Sequence, residues 1–188
     1  VGTDGYGNVY PGAQIPFGGI QISPDTDSRF YDAASGYKYN HLTLMGFSLT
    51  HLSGTGIPDL GDFLFIPGTG EMKLEPGTHE DPDQGYRSRY SHDKEWASPN
   101  YYAVELADYG VKAEMTSGVR SGMFRFTYPE SDNAFIMIDM NHTLWQSCEW
   151  SNLRMINDST ITGYKLVKGW GPERHVYFTA TFSKKLTG

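Results

Sequence analysis

The chain has 188 residues, with 22 acidic against 15 basic side chains and a formal charge of −7. Proteins that grip nucleic acid or an anionic membrane cluster Lys and Arg to neutralise phosphate, so this balance argues against both partners. Cys148 is the only cysteine, which excludes a disulfide within the chain, and no apolar run is long enough to form a membrane-spanning helix. No CxxC pair or HExxH motif suggests zinc. The chain starts at Val1 with no visible leader and is read as a piece of a longer protein.

Before Gly19 there are five glycines and two prolines, which predicts irregular but ordered structure. Strand-like runs follow at 20–23, 42–50, 63–66, 71–74 and 86–92, then at 101–107, 111–116, 119–121, 123–128, 134–140, 160–167 and 176–182. The run from Ala134 to Met140 is almost continuously apolar, as in a strand covered on both faces. Turn chemistry separates the runs: Pro67-Gly68-Thr69-Gly70, Asp108-Tyr109-Gly110, Ser117-Gly118 and the stretch from Pro129 to Asn133. The links at Asp108-Tyr109-Gly110 and at Gly118 are short enough for hairpins. Residues 76–85 are polar and read as an exposed loop. No long segment has helical spacing. The expected fold is all-β, a large antiparallel sandwich.

The most informative segment is 46–62, GFSLTHLSGTGIPDLGD. A strand-like start runs into a loop with glycines at 54, 56 and 61 and with Thr50, His51, Ser53, Thr55, Asp59 and Asp62, but no Lys or Arg. Such groups can hydrogen-bond a neutral, hydroxyl-rich ligand. No Lys follows the last glycine, so the loop is not a phosphate cradle. The plain alternative is a wide turn, in which His51 bonds its own loop and Asp59 and Asp62 bond loop amides. Aromatic residues make up 14% of the chain, which suits both a sandwich core and sugar stacking. Trp96, Trp145, Trp150 and Trp170 are expected in the core, with stacking platforms as the other reading. The segment LWQSCEWSN, 144–152, reads either as part of an interface or as a core corner.

The ordered set of motifs resembles glycoside hydrolase family 92. Val1-Gly2-Thr3-Asp4-Gly5, Tyr10-Pro11-Gly12-Ala13, Pro16-Phe17-Gly18 and Ser23-Pro24-Asp25-Thr26 look like its opening. Gly36-Tyr37-Lys38-Tyr39, the 46–62 segment, Tyr86–His92, Ala97–Tyr102 and Asp108–Glu114 continue it. The resemblance covers essentially the whole chain. It implies the N-terminal sandwich, of the galactose-mutarotase-like supersandwich kind, of a calcium-dependent, inverting exo-α-mannosidase. Such enzymes are mostly secreted, periplasmic or surface-attached in bacteria. The sandwich packs on a C-terminal (α/α)6 barrel, absent here, which carries the acid, the base and most calcium ligands.

On that resemblance the expected activity of the whole protein is release of terminal mannose, of the α-1,2 type, from mannose-rich glycans. An inverting mechanism needs an acid and a base carboxyl group with a water between them. Asp4, Asp25, Asp59, Asp62 and Glu149 do not sit where the family carries that pair. The chain alone is therefore expected to be inactive, with no catalytic residue, no metal site and no calcium of its own. Its expected share is one wall of the sugar site: Phe17, Tyr37, Thr50, His51, Ser53, Gly54, Thr55 and Asp59. The expected partners are mannose-containing glycans and the barrel. Leu49 departs from the pattern, standing where a polar residue, often His, is usual. Two other readings stay open: a stand-alone carbohydrate-binding or structural sandwich, and a mutarotase-type epimerase. An exposed apolar patch is expected near the 46–62 loop and the first 19 residues.

Overall fold

The structure is a computed structural model and describes residues 2–28 and 33–187, so that Val1 of the opening motif lies outside it. Thirteen strands are described, all paired antiparallel, and among the described residues the only helical elements are short 3-10 turns. The antiparallel β-sandwich expected from the sequence is the fold observed.

One sheet has the order β1-β3-β4-β10, formed by β1 (Ser23–Asp25), β3 (Gly46–Ser48), β4 (Leu64–Thr69) and β10 (Ala134–Asp139). A second is a meander, β6-β7-β8-β9, of Glu95–Ser98, Tyr101–Leu106, Val111–Ser117 and Gly122–Thr127. The β7–β8 turn at 107–110 is the hairpin that Asp108-Tyr109-Gly110 foretold, with Gly110 at φ +63°. Between these sheets lies the main core. Phe47 of β3 meets Tyr102, Val104 and Leu106 of β7 and Val111, Ala113 and Met115 of β8, with Phe124 and Phe126 of β9 packed against them. The reverse face of β4, Leu64 and Ile66, packs with Met45, Tyr86 and Met137. Because β4 is covered on both sides it reads as a continuous apolar run rather than an alternating one.

A third sheet, β11-β12-β13, joins Ser147–Asn157, Thr160–Lys168 and Arg174–Thr181. Strand β12 alternates cleanly, burying Ile161, Gly163, Lys165 and Val167. Phe178 of β13 reaches across to Phe63 and Phe65, with ring centroids 4.6 and 5.9 Å away. A two-stranded ribbon, β2 (Thr43–Leu44) with β5 (Ser88–Arg89), completes the pairing.

Several local expectations differ. Residues 71–74 and 119–121 form no strand. The strand β11 escaped the sequence reading because its side chains are polar or mixed and mostly exposed. The tryptophans expected in the core are about half exposed or more: Trp96 49%, Trp145 58%, Trp150 53% and Trp170 63%. Tyr6 and Phe17, in the first 19 residues, are fully exposed. Exposed apolar side chains also gather on β9, β11 and β13, at Met123, Leu153, Met155, Ile156 and Tyr177.

Candidate functional site

The segment after Phe47 is a loop pinched at its base. Leu49 N–H donates to the Asp62 carbonyl at 3.0 Å, Gly61 N–H to the Thr50 carbonyl at 2.8 Å, and His51 forms a β-bridge with Leu60. The Thr50 hydroxyl donates to Asp62 Oδ2 at 2.7 Å and accepts from Asp62 N–H at 3.1 Å. Gly61 sits at φ +74°, and a Cβ there would lie 2.6 Å from Leu144 Cγ, so only glycine fits. The tip, Ser53-Gly54-Thr55, is exposed. It rests on the N-terminal segment, where Gly54 N–H donates to the Asn8 carbonyl at 2.5 Å.

Two buried polar clusters anchor the base of this loop. In the first, Asp25 lies between two histidines. Its Oδ1 accepts from His51 Nε2 and its Oδ2 from His142 Nε2, both at 2.7 Å. His51 Nδ1 lies 2.6 Å from the Gln21 carbonyl oxygen, so both of its ring nitrogens face oxygen atoms of the protein. Burial pushes the Asp25 carboxyl up, but the two imidazoles outweigh it and hold it below the usual carboxylate range. Gly36 makes room for this cluster: at φ +86°, its Cβ would stand 2.1 Å from Asp25 Oδ1.

The second cluster centres on Asp62, whose side chain is fully buried. Lys165 Nζ of β12 lies 3.0 Å from Oδ1, and Arg174 of β13 donates to Oδ2. Lys165 also donates to the His142 carbonyl at 2.5 Å and stands over the Phe63 ring at 5.0 Å. Burial raises the Asp62 carboxyl, yet Lys165 and Arg174 more than offset it and the net shift is downward. Asp59 Oδ1 accepts from Leu60 N–H at 2.7 Å and lies 3.8 Å from Arg174 Nη2.

The residues named from the sequence therefore fall into three groups. Thr50, His51 and Asp59 are held inside the loop base by protein partners. Ser53, Gly54 and Thr55 are open at its tip, with the Thr55 hydroxyl on the Ile57 carbonyl. Phe17 and Tyr37 do not join them. Phe17 is fully exposed at φ +60° on a turn beside Val119, while Tyr37 is buried in the core with its hydroxyl donating to Glu95 at 2.9 Å.

The sequence reading missed His142, Lys165 and Arg174. Only Lys165 left a signal, a cation on the apolar face of an alternating strand. Of the carboxyl groups, Asp25 is held between His51 and His142 and Asp62 between Lys165 and Arg174, while Glu149 is paired with Lys168 at 3.0 Å. Among the described residues, no group of three or more His, Cys, Asp or Glu is arranged to hold a metal ion.

By fold, this is an antiparallel sandwich carrying one glycine-punctuated, doubly anchored loop. Residues 1–188 match the glycosyl hydrolase family 92 N-terminal domain, and the chain belongs to that family. A solved family 92 glycosyl hydrolase, ccman5, superposes with a TM-score of 0.77 at 28% identity, over 95% of this chain and 25% of that one. A protein of the fungus Arthroderma benhamiae, described as an uncharacterized secreted glycosidase, is 29% identical over 134 residues, 70% of this chain and 17% of its own length. The chain thus spans a quarter or less of the relatives it matches.

Proposed function

We propose that this chain is the N-terminal sandwich of a secreted α-mannosidase that releases terminal mannose from mannose-rich glycans with inversion. The whole-chain family match carries this reading, together with the short share of a family enzyme that the chain covers. In it, an (α/α)6 barrel elsewhere in the protein supplies acid, base and calcium ligands, and calcium supplies Lewis-acid and positioning chemistry there. The sandwich supplies an adjoining wall. Ser53, Gly54 and Thr55 are the exposed loop residues placed to meet a sugar, while Thr50, His51 and Asp59 hold that tip in place. A wall built on anchored strands keeps its geometry as the ligand arrives, which is where binding gains most. A preference for α-1,2 linkages is part of this reading, with Leu49 and the neighbouring Ile57-Pro58 as its natural determinants.

The test compares the full-length protein with residues 1–188, on mannobiosides of defined linkage, with and without a calcium chelator. The full-length protein should hydrolyse the α-1,2 substrate, lose activity on chelation and release β-mannose first, as seen by proton NMR. Residues 1–188 should show no turnover. Comparable turnover by the short chain, or a retained anomer, would overturn the proposal.

A further inference from the structure

Trp145 and Trp170 stand at the rim of one cleft of about 270 Å³, which also includes Pro58 of the anchored loop. Both indoles are more than half exposed, at 58% and 63%. Trp145 is held at φ +80°, a backbone region that a bulky side chain enters only where its surroundings impose it, and such strain clusters at binding sites. Gly169 lies beneath the cleft: a Cβ there would be 2.5 Å from Gln146 Cγ and 3.2 Å from Asp59 Oδ1.

The polar groups of the cleft are fixed. Gln146 Nε2 donates to the carbonyls of Pro58 at 2.9 Å and Leu144 at 2.5 Å, which sets the orientation of its amide. Its Oε1 is then a buried acceptor with no partner among the described residues. That oxygen has no surface open to the cleft, so Gln146 serves to brace the cleft wall against the Pro58 segment. Ser147 and Lys168 add hydroxyl and ammonium groups to the same cleft. Lys168 is already paired with Glu149 at 3.0 Å, and the chain as a whole carries −7, so nothing here favours an anion.

We infer that this cleft binds one neutral pyranose unit of a glycan, with the indoles of Trp145 and Trp170 against its C–H faces and the Ser147 hydroxyl at its edge. Tryptophan presents a flat apolar face beside a polar edge, the match for a sugar ring. The volume falls below that of pockets for drug-sized ligands, as suits a single ring. The inference rests on the reading of the chain as part of a glycosidase and extends its sugar wall beyond the loop tip.

The test uses the full-length protein and its Trp145→Ala, Trp170→Ala and Trp170→Phe variants. Binding of methyl α-mannopyranoside and of a mannotriose is followed by calorimetry and by saturation-transfer NMR, beside thermal melts. The two alanine variants should weaken mannotriose binding at least fivefold with an unchanged Tm. Trp170→Phe should stay within twofold of the parent, as should Trp96→Ala on the distant meander, and glucuronate should not bind. Unchanged mannotriose affinity in both alanine variants overturns the inference, whether or not Tm falls. A fall in Tm without a change in affinity would make the cleft a seam against the rest of the protein. Absence of hydrolysis together with weakened binding in the variants would sink the mannosidase reading and leave the cleft standing.

Discussion

Asp62 shows how much one side chain can organise. It is fully buried, yet it is countered by Lys165 and Arg174 and accepts from Thr50. Truncating it strands the fully buried Lys165 ammonium, and breaking a buried pair from one side costs about 3–5 kcal/mol. Asp62→Ala should therefore lower unfolding free energy by that amount in a urea titration. Gly36 is the counterpart for the Asp25 cluster. It combines φ +86° with a Cβ position 2.1 Å from Asp25 Oδ1. Gly36→Ala should cost at least about 2 kcal/mol by the same measurement, since the left-handed backbone and the contact with the carboxylate both oppose it. A neutral result would mean the backbone can turn over locally without disturbing the histidines.

At the scale of elements, the loop at 49–62 is tied to β12 and β13 through charge rather than through strand pairing. Replacing a buried ion pair with apolar groups of similar size is often neutral, whereas removing one partner is not. The double variant Asp62→Leu with Lys165→Met should thus lose less than about 2 kcal/mol, and less than Asp62→Ala alone. It should nonetheless be cut faster by protease within 52–59, because the anchor that holds the tip is gone. Strands β7, β8 and β10, and their turns, were legible because alternation or continuous apolar runs ended at Gly and Pro. Strand β11 was not, since its exposed side chains, from Ser147 to Asn157, carry no period of two. The loop was visible as a glycine-rich polar stretch. Its anchors were not, because Asp25, His142, Lys165 and Arg174 are brought together only by the folded sheets. The tryptophans were misplaced for a related reason: residue type alone does not say on which side of a sheet an indole stands.

For the molecule as a whole, the two aspartate clusters set an acid limit. Both Asp25 and Asp62 have folded-state pKa values below the ordinary value of about 4 that applies in the unfolded chain. Their stabilisation is complete above that unfolded value and disappears as pH falls through the folded values. Thermal melts should show no contribution from these groups to any change between about pH 5 and 7, and a steep decline in Tm beneath about pH 4. Asp62→Asn should make that acid limb shallower; an identical limb would place the titration elsewhere. The same clusters join residues far apart in the chain, since His142 lies 117 positions after Asp25 and Arg174 lies 112 after Asp62. A ribosome adds residues from the N-terminus at roughly 5–20 per second, and long closures wait for both ends to exist. The aspartates are thus made many seconds before His142, Lys165 and Arg174, and a nascent chain halted short of Arg174 carries the motif in an unset form. Maturation of the glycine-punctuated loop is in this sense a late event of biogenesis, although its own codons are among the early ones to be read.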